Sequence, residues 1–241
     1  MAKRPWIFYG WIVVICVMIV MALSSGTRMS FGVAMVPLSQ QFGWTRTTLS
    51  TIALLSSIVT GLLQIVMGVL VDRFGPRYLL GFGVAMLGLG AWLLTMATTV
   101  WQFGLAYGML IGIGLAATQQ VVAATLVANW FVQRRGFAQS WLSSAPALGW
   151  MLVVPANMFI VLTYDWTAMY RLMGTVLLLG VVPFVWVLIR NRPEDIGQRP
   201  YGEGTSTQPG TSAGPAPASG VPLREALHSA KMWKLVYLRF A

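Results

Sequence analysis

Few residues in this chain have the chemistry to act on anything but hydrocarbon. Arg28 is the sharpest, because apolar residues continue after it through Phe31, Val33, Ala34, Met35, Val36 and Leu38. An arginine inside an apolar run costs at least about 2.5 kcal/mol to hold in a membrane, so it is retained for a partner or an anionic ligand. A guanidinium suits a carboxylate, to which it donates two parallel hydrogen bonds. The other reading is that the run ends near Thr27 and Arg28 snorkels to the outer interface. Ser24, Ser25, Thr27 and Ser30 surround it, either lining a wet cavity or bonding back to their own helix. Gln119 and Asn157 are further candidate substrate-binding residues: an amide in an apolar run either faces a cavity or ties helices together. No nucleophile triad, metal cluster or nucleotide loop is present, and Gly81-Phe82-Gly83 lacks the third glycine of a dinucleotide motif. The sequence therefore implies no metal, no cofactor and no enzymatic chemistry.

The elements that must position these residues are membrane helices. Charged residues make up only 9% of the chain, against about 25% in a soluble domain, too few to cover a soluble surface. Six apolar runs, of the length a helix needs to cross hydrocarbon, lie at about 11–38, 47–71, 78–98, 101–128, 137–164 and 168–189. The fold class is thus an all-α membrane protein, a six-helix bundle over residues 1–190. The loops are short, so sequential helices are expected as antiparallel neighbours. Residues 191–222 become rich in Gly, Pro, Ser and Thr, a flexible linker. Residues 223–241 open with Leu223 and Leu227 at helical spacing and end apolar, an amphipathic helix and the start of a seventh span cut short. The lone Cys16 excludes an internal disulfide, and the only histidine, His228, lies beyond the spans.

The net charge of +10 does not point to nucleic acid, because the basic residues sit in pairs between apolar runs and form no continuous face. Lys3, Arg4, Arg73, Arg77, Arg134, Arg135, Arg190, Arg192 and Arg199 fall on one side, and only Arg46 and Arg171 on the other. That bias places both termini in the cytoplasm. Trp6, Trp11, Trp44, Trp101, Trp130 and Trp166 fall near the run boundaries, either as an interfacial belt or as ordinary packing.

The loop after the second run reads Gly68-Val69-Leu70-Val71-Asp72-Arg73-Phe74-Gly75-Pro76-Arg77-Tyr78. Gly68 allows close helix approach, Asp72 can meet an arginine or a helix N-terminus, Gly75 permits a tight turn and Arg77 supplies a forked donor. The stretch resembles the Gly-x-Leu-x-Asp-Arg-x-Gly-x-Arg signature of the major facilitator superfamily, at the same place in the topology. Tyr78 departs from it, standing where a second basic residue is common. Gly43-Trp44-Thr45-Arg46, Asn129-Trp130-Phe131 with Arg134-Arg135-Gly136, and Arg190-Asn191-Arg192-Pro193-Glu194 look like the monocarboxylate transporter and oxalate/formate antiporter branch. Ser143-Ser144-Ala145-Pro146-Ala147-Leu148-Gly149 departs, with Ser and Ala where that branch often has Gly, which puts close packing of the fifth span in question. Gly108 and Gly112 give a close-packing ridge in the fourth.

The resemblance implies a secondary transporter for a small organic anion such as a monocarboxylate, coupled to protons or a counter-anion. It implies alternating access between two six-helix halves, with the first and fourth spans lining the cavity. This chain matches the first half, so a C-terminal half or a partner chain is expected to complete it. A bacterial inner membrane is the expected location. The alternative is a six-span membrane protein that does not transport, or an assembly partner.

Overall fold

The computed structural model describes residues 9–191 and 193–196. Six helices long and apolar enough to cross a membrane run in order: α1 (Tyr9–Phe42), α2 (Arg46–Phe74), α3 (Pro76–Leu94), α4 (Val100–Trp130), α5 (Arg135–Thr163) and α6 (Trp166–Leu188). The shortest, α3, has 19 residues, about 28 Å of helix, and still matches the hydrocarbon thickness. A 3₁₀ turn, Pro193–Ile196, follows α6. The expected linker at 191–222 lies outside the described residues except for its first few positions. The expected amphipathic helix at 223–241, and Lys3, Arg4, Trp6, Arg192 and Arg199, lie outside them altogether.

Local chemistry sets the ends of these helices. The Thr45 hydroxyl accepts from the Thr48 amide and starts α2. Thr99 and Gln102 form a reciprocal capping box at the start of α4. Asp165 caps α6, its carboxylate accepting from the Ala168 amide at 2.5 Å and the Thr167 hydroxyl at 2.7 Å. Those two donors hold the Asp165 carboxyl below its ordinary value. A depressed folded-state pKa means that the cap contributes above the unfolded-chain value of about 3.9 and is lost as pH falls. Asp165→Ala is therefore expected to cost about 1 kcal/mol at neutral pH. The gap from wild type should close in thermal melts taken progressively below about pH 4. A gap that persists unchanged into acid would show that the carboxylate is not what stabilises this end.

Helices α1, α3 and α4 form the buried centre, with α2, α5 and α6 around them. The principal seams are α1 with α5, α2 with α4, and the sequential pair α3 with α4; in the first two, the first helix of each three-helix set packs on the second helix of the other. The sequential pair α3 and α4 packs as expected, whereas the other sequential pairs touch only lightly and most of the remaining packing departs from neighbour-to-neighbour order. In the first seam a Cβ on Gly149 would lie 2.0 Å from the Ala22 carbonyl oxygen, and one on Gly26 would lie 2.5 Å from the Val153 Cβ. Four residues separate the contacts on each helix, so α1 and α5 run parallel. In the second, Gly108 meets Leu55 and Gly112 meets Val59 with the same spacing. The Gly108/Gly112 ridge is thus realised. The fifth span packs closely through Gly149 despite its serines and alanines.

The tryptophans divide. Trp130 and Trp166 are buried and pack, whereas Trp101 is 83% exposed. Phe42, Trp44, Phe103 and Trp166 form a chain of ring contacts joining α1, α4 and α6 at one end of the bundle.

Candidate functional site

Arg28 sits well inside α1, which continues fourteen residues beyond it to Phe42. The helix therefore does not end at Thr27. Among the described residues Arg28 is the only charge more than two turns from a helix end. Its guanidinium is exposed on the bundle surface, and among the described residues its one hydrogen bond is a long one, Nη2 donating to the Ser57 hydroxyl of α2 at 3.4 Å. The Arg28 carbonyl accepts from the Tyr107 hydroxyl of α4 at 3.3 Å, and the Tyr107 ring packs 4.3 Å from that of Phe31. Tyr107 lies in a π-helical stretch, Leu105–Ile111. From this stretch Tyr107 faces α1, while Gly108 and the following Gly112 face α2. Three of the four hydroxyls around Arg28 bond back to their own helix: Ser24 to Val20, Thr27 to Leu23 and Ser30 to Gly26.

Asn157 is buried and ties three helices, its Nδ2 donating to the Ser30 hydroxyl of α1 at 2.6 Å and meeting the Met173 sulfur of α6 at 3.1 Å. Gln119 occupies a break in α4. Its backbone is extended (φ −80°, ψ 176°), between helical stretches ending at Thr118 and restarting at Gln120. Next to it, Gln120 Nε2 donates to the Ser143 hydroxyl of α5 at 3.3 Å. Gln119 lies twelve residues along α4 from Tyr107, roughly 18 Å of helix. The structure thus bonds Asn157 to Ser30, which is buried two residues after the exposed Arg28 and on a different face of α1, and holds Gln119 at a different level.

The signature loop forms a second constellation. Gly75 has φ +83°, a conformation that suits glycine. Arg77 donates from its backbone amide to Asn191 Oδ1 at 3.0 Å and from Nη2 to the Trp186 carbonyl, with its guanidinium over the Trp186 ring at 5.6 Å. Arg73 stands over the Phe74 ring. Asp72 makes no ion pair among the described residues; it is exposed and opens with Arg73, Asn129 and Asn191 onto a cleft of about 300 Å³. A Cβ on Gly68 would meet nothing within 4 Å, so the close approach expected there is made by other glycines. Sequence reasoning passed over Tyr107, Ser57 and Trp186, and quoted Asn191 without giving it a role. Tyr107 was detectable only as an aromatic in a glycine-rich stretch.

Comparison with known proteins agrees with this architecture. An uncharacterised MFS-type transporter, YcxA of Bacillus subtilis, is 26% identical over 166 residues, covering 69% of this chain and 41% of that protein. Human monocarboxylate transporter 2 is 28% identical over 173 residues, covering 70% of this chain and 35% of that protein. The chain thus spans about two fifths of the length of these curated relatives or less. A bacterial homologue of the human lysosomal transporter Spinster, solved inward-facing and unoccupied, superposes with a TM-score of 0.64 at 15% identity, over 87% of this chain and 48% of that one. The model of the Major Facilitator Superfamily matches residues 17–241. With six apolar helices, the signature turn at Gly75 and this match over nearly its whole length, the chain belongs to the Major Facilitator Superfamily.

Proposed function

We propose that the chain carries the N-terminal half-site of a secondary transporter for a small organic anion such as a monocarboxylate, moved by alternating access against a second six-helix half. The observation that carries this reading is Arg28, a lone charge deep in α1 whose guanidinium is held, among the described residues, only by one long bond to Ser57. Its remaining donors suit a carboxylate. A relative named for monocarboxylate transport supports the substrate class. The break at Gln119 supports a path along α4, because non-helical backbone at membrane depth is tolerated where protein buries it or where it lines a watery cavity. Coupling to a proton or counter-anion falls to groups other than acids of these helices, since Asp72 and Asp165 stand at helix ends. The basic bias of one side supports a cytoplasmic location for both ends of the chain, and a bacterial inner membrane is part of this proposal.

The test is binding of a radiolabelled short-chain monocarboxylate to the purified chain in lipid nanodiscs. Competition by unlabelled carboxylates but not by the neutral amide analogue is the expected result. Equal displacement by the amide, or no specific binding, would sink the anion reading. Uptake into proteoliposomes then separates a chain that transports unaided from a six-span protein that binds without moving solute.

A further inference from the structure

The start of α3 lacks a cap of its own. Gly75 stands at the capping position and has no side-chain oxygen, and Pro76 has no amide hydrogen. The first amide of α3 that needs a partner is therefore that of Arg77. Its acceptor comes from 114 residues away, the Oδ1 of Asn191 at 3.0 Å, just after α6. The fit is close: a Cβ on Gly75 would lie 2.9 Å from the Asn191 Nδ2. Asn191 is itself held in place. Its carbonyl accepts from Asn129 Nδ2 at 3.4 Å, and the Arg190 carbonyl accepts from Trp130 Nε1 at 3.1 Å. The Arg77 side chain returns the contact by donating to the Trp186 carbonyl in the last turns of α6.

We propose that Asn191 is a positioning residue of the signature loop: it caps α3 from the end of α6 and so couples the chain leaving α6 to the geometry of Asp72, Gly75 and Arg77. Two consequences follow from the geometry. Glycine at 75 is required both by its positive φ and by the space Asn191 occupies. A shift of the segment after Leu188 withdraws the cap from α3 without disturbing any other contact of the Arg77 amide. The coupling does not depend on which solute, if any, the protein carries.

Residue-resolved hydrogen exchange on the full chain in nanodiscs tests this. The Arg77 amide is the reporter, and amides along the Ala22–Gly149 seam serve as the standard for an intact bundle. Asn191→Ala and the volume-keeping Asn191→Leu should speed Arg77 exchange about fivefold, the weight of one helix cap. Asn191→Asp keeps the acceptor oxygen and should leave it at the wild-type rate. If Asn191→Leu loses the whole bundle, seen as faster exchange along the seam, the Ala and Asp pair decides alone. Wild-type exchange at Arg77 in Asn191→Ala, or exchange in Asn191→Asp as fast as in Asn191→Ala, overturns the proposal.

Discussion

Arg28→Ala should weaken carboxylate binding by about 100-fold, the loss of a forked, charge-assisted pair of hydrogen bonds, and should leave the bundle at least as stable as wild type. The two effects have opposite signs for one physical reason. A guanidinium deep in a span costs at least about 2.5 kcal/mol against insertion, and the long bond to the Ser57 hydroxyl offsets little of that. Removing the charge relieves the span while depriving the solute of its partner. Arg28→Lys separates geometry from charge, because an ammonium keeps the charge and loses the fork. It should bind between wild type and alanine. Competition binding gives the affinities and thermal melts in detergent give the stabilities. Binding that survives Arg28→Ala intact would remove Arg28 from the site. A parallel fall in stability would make the residue structural.

How much of this could be read from the sequence depends on what apolar runs encode. The six helices were legible to within a few residues, because the length of an apolar run is itself the signal. The turn at Gly75 and the Gly108/Gly112 ridge were legible because glycine has few other uses at those spacings. Which face of a span meets which helix was not legible. In a helix apolar all round, periodicity carries no facing information, as an amphipathic helix would. Asn157 and Gln119 therefore read alike as amides in apolar runs. The structure gives one a buried bond to Ser30 and the other a break in the backbone. The break itself had no local mark. No proline flanks it, and the nearest preceding glycine is Gly114. Asn191 stayed without a role for a related reason: its partner is the Arg77 amide, and sequence alone does not show which amide a distant side chain reaches. Gly149 was noticed as the end of a serine- and alanine-rich stretch, but its partner Ala22 lies on the opposite side of the chain's connectivity.

That pairing sets the largest expected effect on stability. A methyl group at Gly149 would fall 2.0 Å from the Ala22 carbonyl oxygen, 2.8 Å from its carbon and 3.0 Å from its Cα. All three are backbone atoms of α1, so no rotamer change makes room. α5 must instead move away by the better part of the missing distance. Separation there also opens the next turn, where Gly26 packs on Val153, and it pulls on the Asn157–Ser30 bond two turns further along. Membrane helices associate through close van der Waals packing rather than a hydrophobic drive, so a parted seam has little to replace what it loses. Gly149→Ala is accordingly expected at or beyond the upper end of the usual 1–3 kcal/mol for overpacking. Gly104→Ala is the control, because the nearest atom to a Cβ there is 3.8 Å away, in ordinary contact. Thermal unfolding of both variants in matched detergent should show a large drop for the first and a small change for the second. Equal melting temperatures would mean that the α1–α5 seam is looser than its backbone spacing implies. A compensating Ala22→Gly change would not rescue the first variant, since the clash is with the carbonyl that every residue at 22 carries.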